Sequence, residues 1–190
     1  MATSGGSSAL RLMSDLKSVT QQPPDGVSAS PLQEENLYVW GATVFGPDDT
    51  SWEGGIYSCR LMFTEQYPDK PPRVRFTSEM VRALQQPGPP LRRSVCVRVC
   101  ATRSSHLAPP VMSPQFHPNI FPDGTLCLDL IQDQWSPVYT VSSILLAIRS
   151  LLTDPNCASP ANPEAAHLYQ TDRKQYSKKV RNVAEKSVCG

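Results

Sequence analysis

The first apolar pattern along the chain lies near the amino terminus, where hydrophobic residues recur at helical spacing. The residues that carry it are Leu10, Met13, Leu16 and Val19. This spacing predicts a short amphipathic helix. We expect Ser7 or Ser8 to be its N-cap, because a side-chain hydroxyl can accept a hydrogen bond from the first turn. The Pro23-Pro24 pair should end the segment, since proline cannot continue a helix.

Three later segments, residues 36–45, 56–63 and 73–76, are rich in β-branched or aromatic residues and predict strands. Alternation in the second segment places one set of side chains on a single face: Tyr57, Cys59, Leu61 and Phe63. In the third segment, Val74 and Phe76 should point inward and the two arginines beside them outward. Short turns join the segments, which predicts an antiparallel meander.

The carboxyl-terminal part of the chain carries helical patterns. One apolar stripe begins after Thr140 and ends before Pro155, with these members: Val141, Ile144, Leu145, Ile148 and Leu152. The run Asn162-Pro163-Glu164 is typical of a helix start, with a capping amide, a proline at the first position and an acid in the first turn. A last helix is marked by Tyr176, Val180 and Val183.

This order of elements predicts an α+β fold: an amino-terminal helix, an antiparallel meander, an irregular segment and carboxyl-terminal helices. A chain of 190 residues can bury one good core, so we expect a single domain over residues 1–190. The irregular segment, residues 116–137, contains several prolines and little periodicity. Long irregular segments inside compact domains are often functional, so we expect the chemistry there.

Composition and charge exclude several classes of protein. A formal net charge of +1 provides no general attraction for polyanions, so we expect no direct binding to nucleic acid. The chain lacks the run of about 20 apolar residues that crosses a bilayer, and its opening lacks a secretory pattern, so we expect no membrane partner. The six cysteines lack framework spacing, which favours reduced thiols in the cytoplasm and nucleus.

Four motifs, in order, resemble the signature of the ubiquitin-conjugating enzymes: Tyr67-Pro68-Asp69-Lys70-Pro71-Pro72, His117-Pro118-Asn119, Cys127, and Trp135-Ser136-Pro137. The resemblance covers residues 9–80 and 116–188. Details such as Arg11-Leu12-Met13 and Asp154-Pro155-Asn156 are most similar to the branch that acts in post-replication DNA repair and histone ubiquitylation. The resemblance implies an enzyme that accepts ubiquitin from an activating enzyme and transfers it to substrate lysines with a RING-type ligase.

The resemblance assigns roles to residues of the irregular segment. Cys127 would carry ubiquitin as a thioester, and Asn119 would donate a hydrogen bond to the oxyanion that forms when an amine attacks. Asp129 is a candidate for positioning the incoming lysine. His117 and Pro118 would be structural. Two alternatives stay open, since free cysteines are often simply buried and an asparagine can organise a loop.

The resemblance also assigns surfaces to partners. Ligase binding would involve Asp69 and the turn Ser136-Pro137-Val138, and Leu146 matches a donor-ubiquitin contact. Arg11 and Lys17 would face the activating enzyme, although this helix carries fewer basic residues than the family usually presents. Ser159, before a proline, stands where many family members have an acid near the acceptor. We interpret it as a phosphorylation site that would restore negative charge.

Residues 81–115 have no counterpart in the resemblance. The segment is rich in proline and arginine, contains no acidic residue and predicts a mobile loop. Because valine codons begin with GT and one glutamine codon is CAG, its ends Val81 and Gln115 match those of an intron retained in frame; a lineage-specific insertion is the alternative. Cys96, Cys100 and His106 provide three ligands where structural zinc uses four, so we expect neither a metal nor another cofactor.

Two other functions compete with the transferase. The chain could be a catalytically impaired binding module of the same fold, if the inserted segment disables the site. It could instead be a thiol hydrolase in which Cys127 acts with His117 or His167, as in enzymes that pair a cysteine with a histidine. An impaired module would form no covalent adduct with ubiquitin, and a hydrolase would not need ATP.

Overall fold

The computed structural model describes residues 5–77, 116–128 and 131–189. Its helices and strands, in chain order, are α1 Gly5–Gln21, β1 Val27–Gln33, β2 Asn36–Phe45, β3 Ile56–Met62, β4 Arg73–Thr77, α2 Val141–Thr153, α3 Pro163–Thr171 and α4 Arg173–Cys189. The strands form one antiparallel sheet in the order β1-β2-β3-β4. The predicted α+β fold is therefore confirmed.

The strand β1 is missing from the prediction, which placed only three strands in the meander. It pairs with β2 in antiparallel register, with Val27 opposite Val44 and Pro31 opposite Trp40. Its sequence, rich in serine and alanine with a central proline, resembles a loop. Proline, which has no backbone N–H, is tolerated here because β1 lies at the edge of the sheet, where not every N–H must donate to a neighbouring strand.

The other strands follow the predicted faces. On β3 and just beyond it, the predicted inward set is buried, with exposed fractions of 6% or less. Val74 and Phe76 on β4 are likewise buried, whereas Arg73 and Arg75 are exposed. Trp40 on β2 is fully buried at the centre of the same core. The alternation therefore predicted both the strands and their orientation.

The helix α1 is confirmed, but its predicted apolar stripe is only partly correct: Val19 is buried and Leu16 packs half-buried against the core, whereas the two earlier members do not. Leu10 and Met13 are 68% and 56% exposed, whereas Leu12 and Asp15 are buried. A spacing of three residues drifts around a helix that has 3.6 residues per turn, so the apparent stripe did not mark one face. The predicted N-cap is also wrong, because Ser8 lies inside the helix and is buried against Tyr38, with 2.9 Å between the two hydroxyl oxygens.

The helix α2 lies as predicted, and all five members of its predicted stripe are buried. Thr140 caps it through a capping box with Ser143, in which each side chain bonds the backbone N–H of the other residue. Asn162 caps α3, its side-chain oxygen accepting from the N–H of Ala165, and Pro163 occupies the first turn as predicted. Within the described ranges, no helix has the length and apolar character needed to cross a membrane.

Candidate functional site

The segment that carries Cys127 is docked on the free edge of β4. The N–H of Phe76 donates to Gly124 at 2.8 Å, and the N–H of Leu126 donates to Val74 at 3.2 Å. Gly124 adopts φ of +87°, and a Cβ at this position would lie 2.4 Å from the carbonyl oxygen of Phe76. Glycine is therefore required where the segment passes the strand. This docking fixes the backbone immediately before Cys127.

Cys127 is half-buried, so this residue is partly exposed to solvent. Its Sγ donates to the side-chain oxygen of Gln132, 3.6 Å away, on an exposed residue of the following turn. Cys59 differs because it lies in the core, where burial raises its pKa to about 12, whereas Cys157, in the loop after α2, is half-buried like Cys127. Since thiolates are the reactive form, Cys59 is chemically inert.

Asn119 is joined to Cys127 by the backbone, because the N–H of Cys127 donates to the carbonyl of Asn119 at 2.9 Å. The Asn119 side chain is directed to the backbone of Asn156. Its Nδ2 donates to the carbonyl of Asn156 at 2.7 Å, and its Oδ1 accepts from the N–H of Asn156 at 2.8 Å. Asn119 is only 2% exposed. Its amide therefore organises the loop that follows α2.

His117 is fully buried, and both ring nitrogens have partners. Nδ1 accepts from the N–H of Asn119 at 3.0 Å, which leaves the proton on Nε2 to donate to the carbonyl of Leu151 at 2.9 Å. Burial lowers the pKa of His117 to about 4, because a charged imidazole is poorly solvated there, and the bond to Leu151 opposes this shift. The neutral ring is therefore a bridge between the loop and the end of α2.

The carbonyl of Pro118 accepts from the N–H of Asn162, the cap of α3, at 2.9 Å. The three residues of the His117-Pro118-Asn119 motif thus bond three different points: the end of α2, the start of α3 and the loop between them. Each bond fixes backbone that would otherwise be irregular. The backbone bond between Cys127 and Asn119 places this motif next to Cys127.

The residues predicted to face a ligase lie on two loops. Asp69 is exposed on the loop after β3, and Val138, 76% exposed, lies on the turn before α2 with Pro137 also exposed and Ser136 half-buried. Leu146 is 44% exposed on α2. These positions are accessible to a partner.

The remaining predicted residues are more scattered. Lys17 on α1 is exposed, whereas Arg11 is half-buried and bonded within the protein. Ser159 is exposed in the loop after α2. Asp129 and the whole of residues 81–115, including the cysteines and histidine considered for zinc, lie outside the described residues.

Sequence reasoning missed two residues of the site. Gln132 contacts the thiol, and the backbone of Asn156 holds the Asn119 amide. The Asp154-Pro155-Asn156 run resembles the family, but nothing in its composition indicates a partner so far away in the chain. In the part of the chain that the structure describes, no group of three or more His, Cys, Asp or Glu side chains is placed to hold a metal ion.

Comparison with known proteins agrees with this geometry. Residues 11–184 match the family model described as ubiquitin-conjugating enzyme. Ubiquitin-conjugating enzyme E2 3 of Arabidopsis thaliana is 42% identical over 177 residues, which cover 93% of this chain and 94% of that protein. Ubiquitin-conjugating enzyme E2 2 of Candida albicans is 45% identical over 177 residues, covering 93% of this chain and 79% of that protein.

A third relative, ubiquitin-conjugating enzyme E2 2 of Fusarium solani, is 42% identical over 177 residues that cover 93% of each chain. The match extends over nearly the whole protein, and the fold and the ordered motifs agree with it. The chain therefore belongs to the ubiquitin-conjugating enzyme family and is a transferase of that class.

Proposed function

We propose that Cys127 accepts ubiquitin as a thioester from an activating enzyme and that the protein transfers it to substrate lysines with a RING-type ligase. The observation that carries this proposal is a half-buried cysteine whose own backbone N–H is bonded to the carbonyl of Asn119. The sulfur would attack the activating enzyme's thioester carbonyl and expel that enzyme's thiol. A lysine amine would then attack the new thioester and release the Cys127 thiol.

The proposed donor to the oxyanion is the Nδ2 group of Asn119. One of its two hydrogens is directed to Asn156. In this proposal the other hydrogen donates to the oxygen that becomes negative as the amine attacks. Because Asn119 is almost fully buried, its amide is held before the reaction begins. Such preorganisation is what makes a donor effective in stabilising a transition state. Asp129 is the proposed residue for positioning the incoming lysine, and Ser159 is proposed to lie at the acceptor entrance.

His117 is neutral and both of its ring nitrogens are hydrogen-bonded, which favours the transferase over a thiol hydrolase that uses this histidine. A general base needs a free nitrogen within hydrogen-bond reach of the thiol. The Nδ1 and Nε2 atoms of His117 are occupied by Asn119 and Leu151 instead. His117 is therefore not such a base, which suits a carrier that must keep its thioester from water.

The test is to mix the protein with activating enzyme, ubiquitin and ATP, and to look for an adduct that reductant removes. The adduct should form on the wild type and disappear in Cys127→Ala. Cys157→Ala is a matched control, because Cys157 is also half-buried and should not be needed. A binding module would give no adduct in any variant. Turnover of ester or peptide substrates without ATP would favour the hydrolase.

We also propose the finer assignments that the resemblance suggested. These are membership of the branch that acts in DNA repair and histone ubiquitylation, location in the cytoplasm and nucleus, and a single catalytic domain interrupted by residues 81–115. The branch would be supported if the charged protein, with its ligase, modified histones in preference to an unrelated protein of equal lysine content. A fluorescent fusion confined to another compartment would contradict the location.

A further inference from the structure

Two side chains of α1 each reach a different loop of the predicted ligase-facing surface. The hydroxyl of Tyr67, on the loop after β3, donates to Oδ2 of Asp15 at 2.6 Å. Nη2 of Arg11 donates to the carbonyl of Tyr139, on the turn before α2, at 2.9 Å. Arg11 and Asp15 lie one helical turn apart, with 3.4 Å between Nε and Oδ2. One turn of helix therefore contacts both loops.

The two loops are also bonded to each other through Trp135. Its Nε1 donates to the carbonyl of Pro68 at 2.8 Å. The ring of Trp135 lies 6.2 Å from that of Tyr67 and 5.8 Å from that of Tyr139, centroid to centroid. These contacts and those of α1 close a ring, which we call the α1 ring, made of Arg11, Asp15, Tyr67, Trp135 and Tyr139.

Burial makes the α1 ring sensitive to the loss of the bond between Asp15 and Tyr67. Asp15 and Tyr67 are 3% and 2% exposed, so water cannot replace a lost partner. Burial raises the pKa of Tyr67, and the hydrogen bond and charge of Asp15 raise it further, so the hydroxyl stays protonated and donates. A buried carboxylate left with one donor fewer is strongly penalised. The ring therefore holds one arrangement of the two loops.

We infer that Arg11 and Asp15 are positioning residues for the ligase-facing surface, holding the loops of Asp69 and Val138 in one relative arrangement. This inference rests on the function proposed above, which assigns that surface to a ligase. It gives α1 a role beyond the predicted contact with the activating enzyme. Because the links run through Asp15, a change at Arg11 reaches the Tyr67 loop as well as the Tyr139 turn.

Amide hydrogen exchange on the protein that carries no ubiquitin tests the inference. Two reporters are the N–H of Lys70, bonded to Gln66 at 2.8 Å, and the N–H of Tyr139, bonded to Ser136 at 3.0 Å. Tyr67→Phe removes one hydroxyl and Arg11→Gln removes the guanidinium. Each should accelerate exchange at both reporters by about tenfold, while amides of the central strands change by less than about twofold.

Matched controls separate the α1 ring from ordinary stability. Tyr38→Phe also removes a hydroxyl that contacts α1, at Ser8, but lies outside the ring. Lys17→Gln removes an exposed charge from the same helix. Neither should accelerate the two reporters. Acceleration throughout the chain would show a merely structural role, and Arg11→Gln affecting Tyr139 alone would show independent contacts; either result overturns the inference.

Ligase binding supplies the functional readout. The probe is a RING domain that accelerates ubiquitin release from the wild type. Its binding to protein that carries no ubiquitin is measured by titration. Tyr67→Phe should raise the half-saturating concentration about tenfold, whereas Tyr38→Phe should not. Equal affinity for Tyr67→Phe and the wild type would refute the inference. If the wild type forms no thioester, the proposed function fails, and the hydrogen exchange still decides whether the ring holds both loops.

Discussion

Asn119 and Asn156 share two hydrogen bonds, in which the side-chain amide of the first residue pairs with the backbone N–H and carbonyl of the second. The side-chain amide of Asn119 thus makes the pair of hydrogen bonds that a neighbouring β-strand would make with the backbone of Asn156. It joins the loop before Cys127 to the loop after α2, across 37 positions of sequence. One side chain therefore both organises the site and is the proposed donor to the oxyanion.

Asn119→Ala should affect stability and catalysis together, by separable amounts. The free energy of unfolding should fall by about 1 to 3 kcal/mol, since two backbone groups of Asn156 lose their partners. Transfer of ubiquitin to free lysine should slow by about two to three orders of magnitude, the effect of removing one oxyanion donor. Urea unfolding measures the first, and single-turnover discharge of the thioester measures the second.

The control for that substitution is Asn162→Ala. Asn162 caps α3 by accepting from the N–H of Ala165 at 3.1 Å, and losing such a cap costs about 1 kcal/mol. This variant should be less stable yet discharge its thioester at close to the wild-type rate. If both variants slow discharge equally, Asn119 acts only by organising the loop.

The buried neutral state of His117 predicts a specific loss of stability in acid. Its pKa in the folded protein is about 4, below the value of about 6.5 expected in the unfolded chain. As the pH falls through 6.5, the unfolded state binds a proton that the folded state does not, so stability falls. Between pH 7.5 and pH 5 this group should remove about 2 kcal/mol from the free energy of unfolding.

Urea unfolding of the wild type and of His117→Gln at those two pH values measures the effect. The variant should be less stable at pH 7.5 and should lose less on acidification. His167→Gln, which replaces an exposed histidine on α3, should follow the wild type. An equal loss for His117→Gln and the wild type would mean that other groups cause the acid sensitivity.

Sequence periodicity was sufficient where one face of an element is buried along its whole length. The stripe of α2 and the alternation of β3 and β4 predicted both the elements and their buried faces. The order of motifs predicted the family, which the comparisons confirm. On α1 periodicity predicted the helix and the inward positions of Leu16 and Val19, but it missed the polar part of the buried face, where Ser8 faces Tyr38 and Asp15 faces Tyr67.

The contacts that shape the site could not be predicted from local pattern. Arg11 and Tyr139 are 128 positions apart, and Tyr67 and Asp15 are 52 positions apart. Such pairs depend on how the elements pack, not on the residues next to them. The contact of Gln132 with Cys127 is close in sequence, but an exposed glutamine in an irregular turn carries no signal of its partner.

Ser159 provides a test of charge near the lysine acceptor. Ser159→Glu places a carboxylate in an exposed loop, where it can attract and orient an incoming ammonium group. Transfer to free lysine should be about two- to fivefold faster than for Ser159→Ala, as expected for an exposed charge interaction below about 1 kcal/mol. The difference should shrink at high salt. Ser14→Glu, on the exposed face of α1, is the control, and equal rates for the two Ser159 variants would end the hypothesis.

Deleting residues 81–115 tests whether that segment belongs to the working enzyme. The backbone on both sides is anchored: β4 ends at Thr77 and pairs with the Cys127 segment, and the ring of Phe116 lies 6.0 Å from that of Tyr176. Joining Met80 to Phe116 should therefore preserve folding, because closing a shorter loop has a smaller entropic cost.

Phe116 stands directly before the His117-Pro118-Asn119 motif. Since a displacement of about 1 Å can slow a reaction a hundredfold, we expect transfer by the deletion variant to be at least about tenfold faster. A Gly/Ser linker of equal length in place of the segment separates an effect of length from one of sequence. A folded deletion variant that transfers ubiquitin no faster than the full chain would show that the segment does not slow the enzyme. Abundant natural protein that contains Val81 to Gln115 would refute the retained-intron interpretation and favour a lineage-specific insertion.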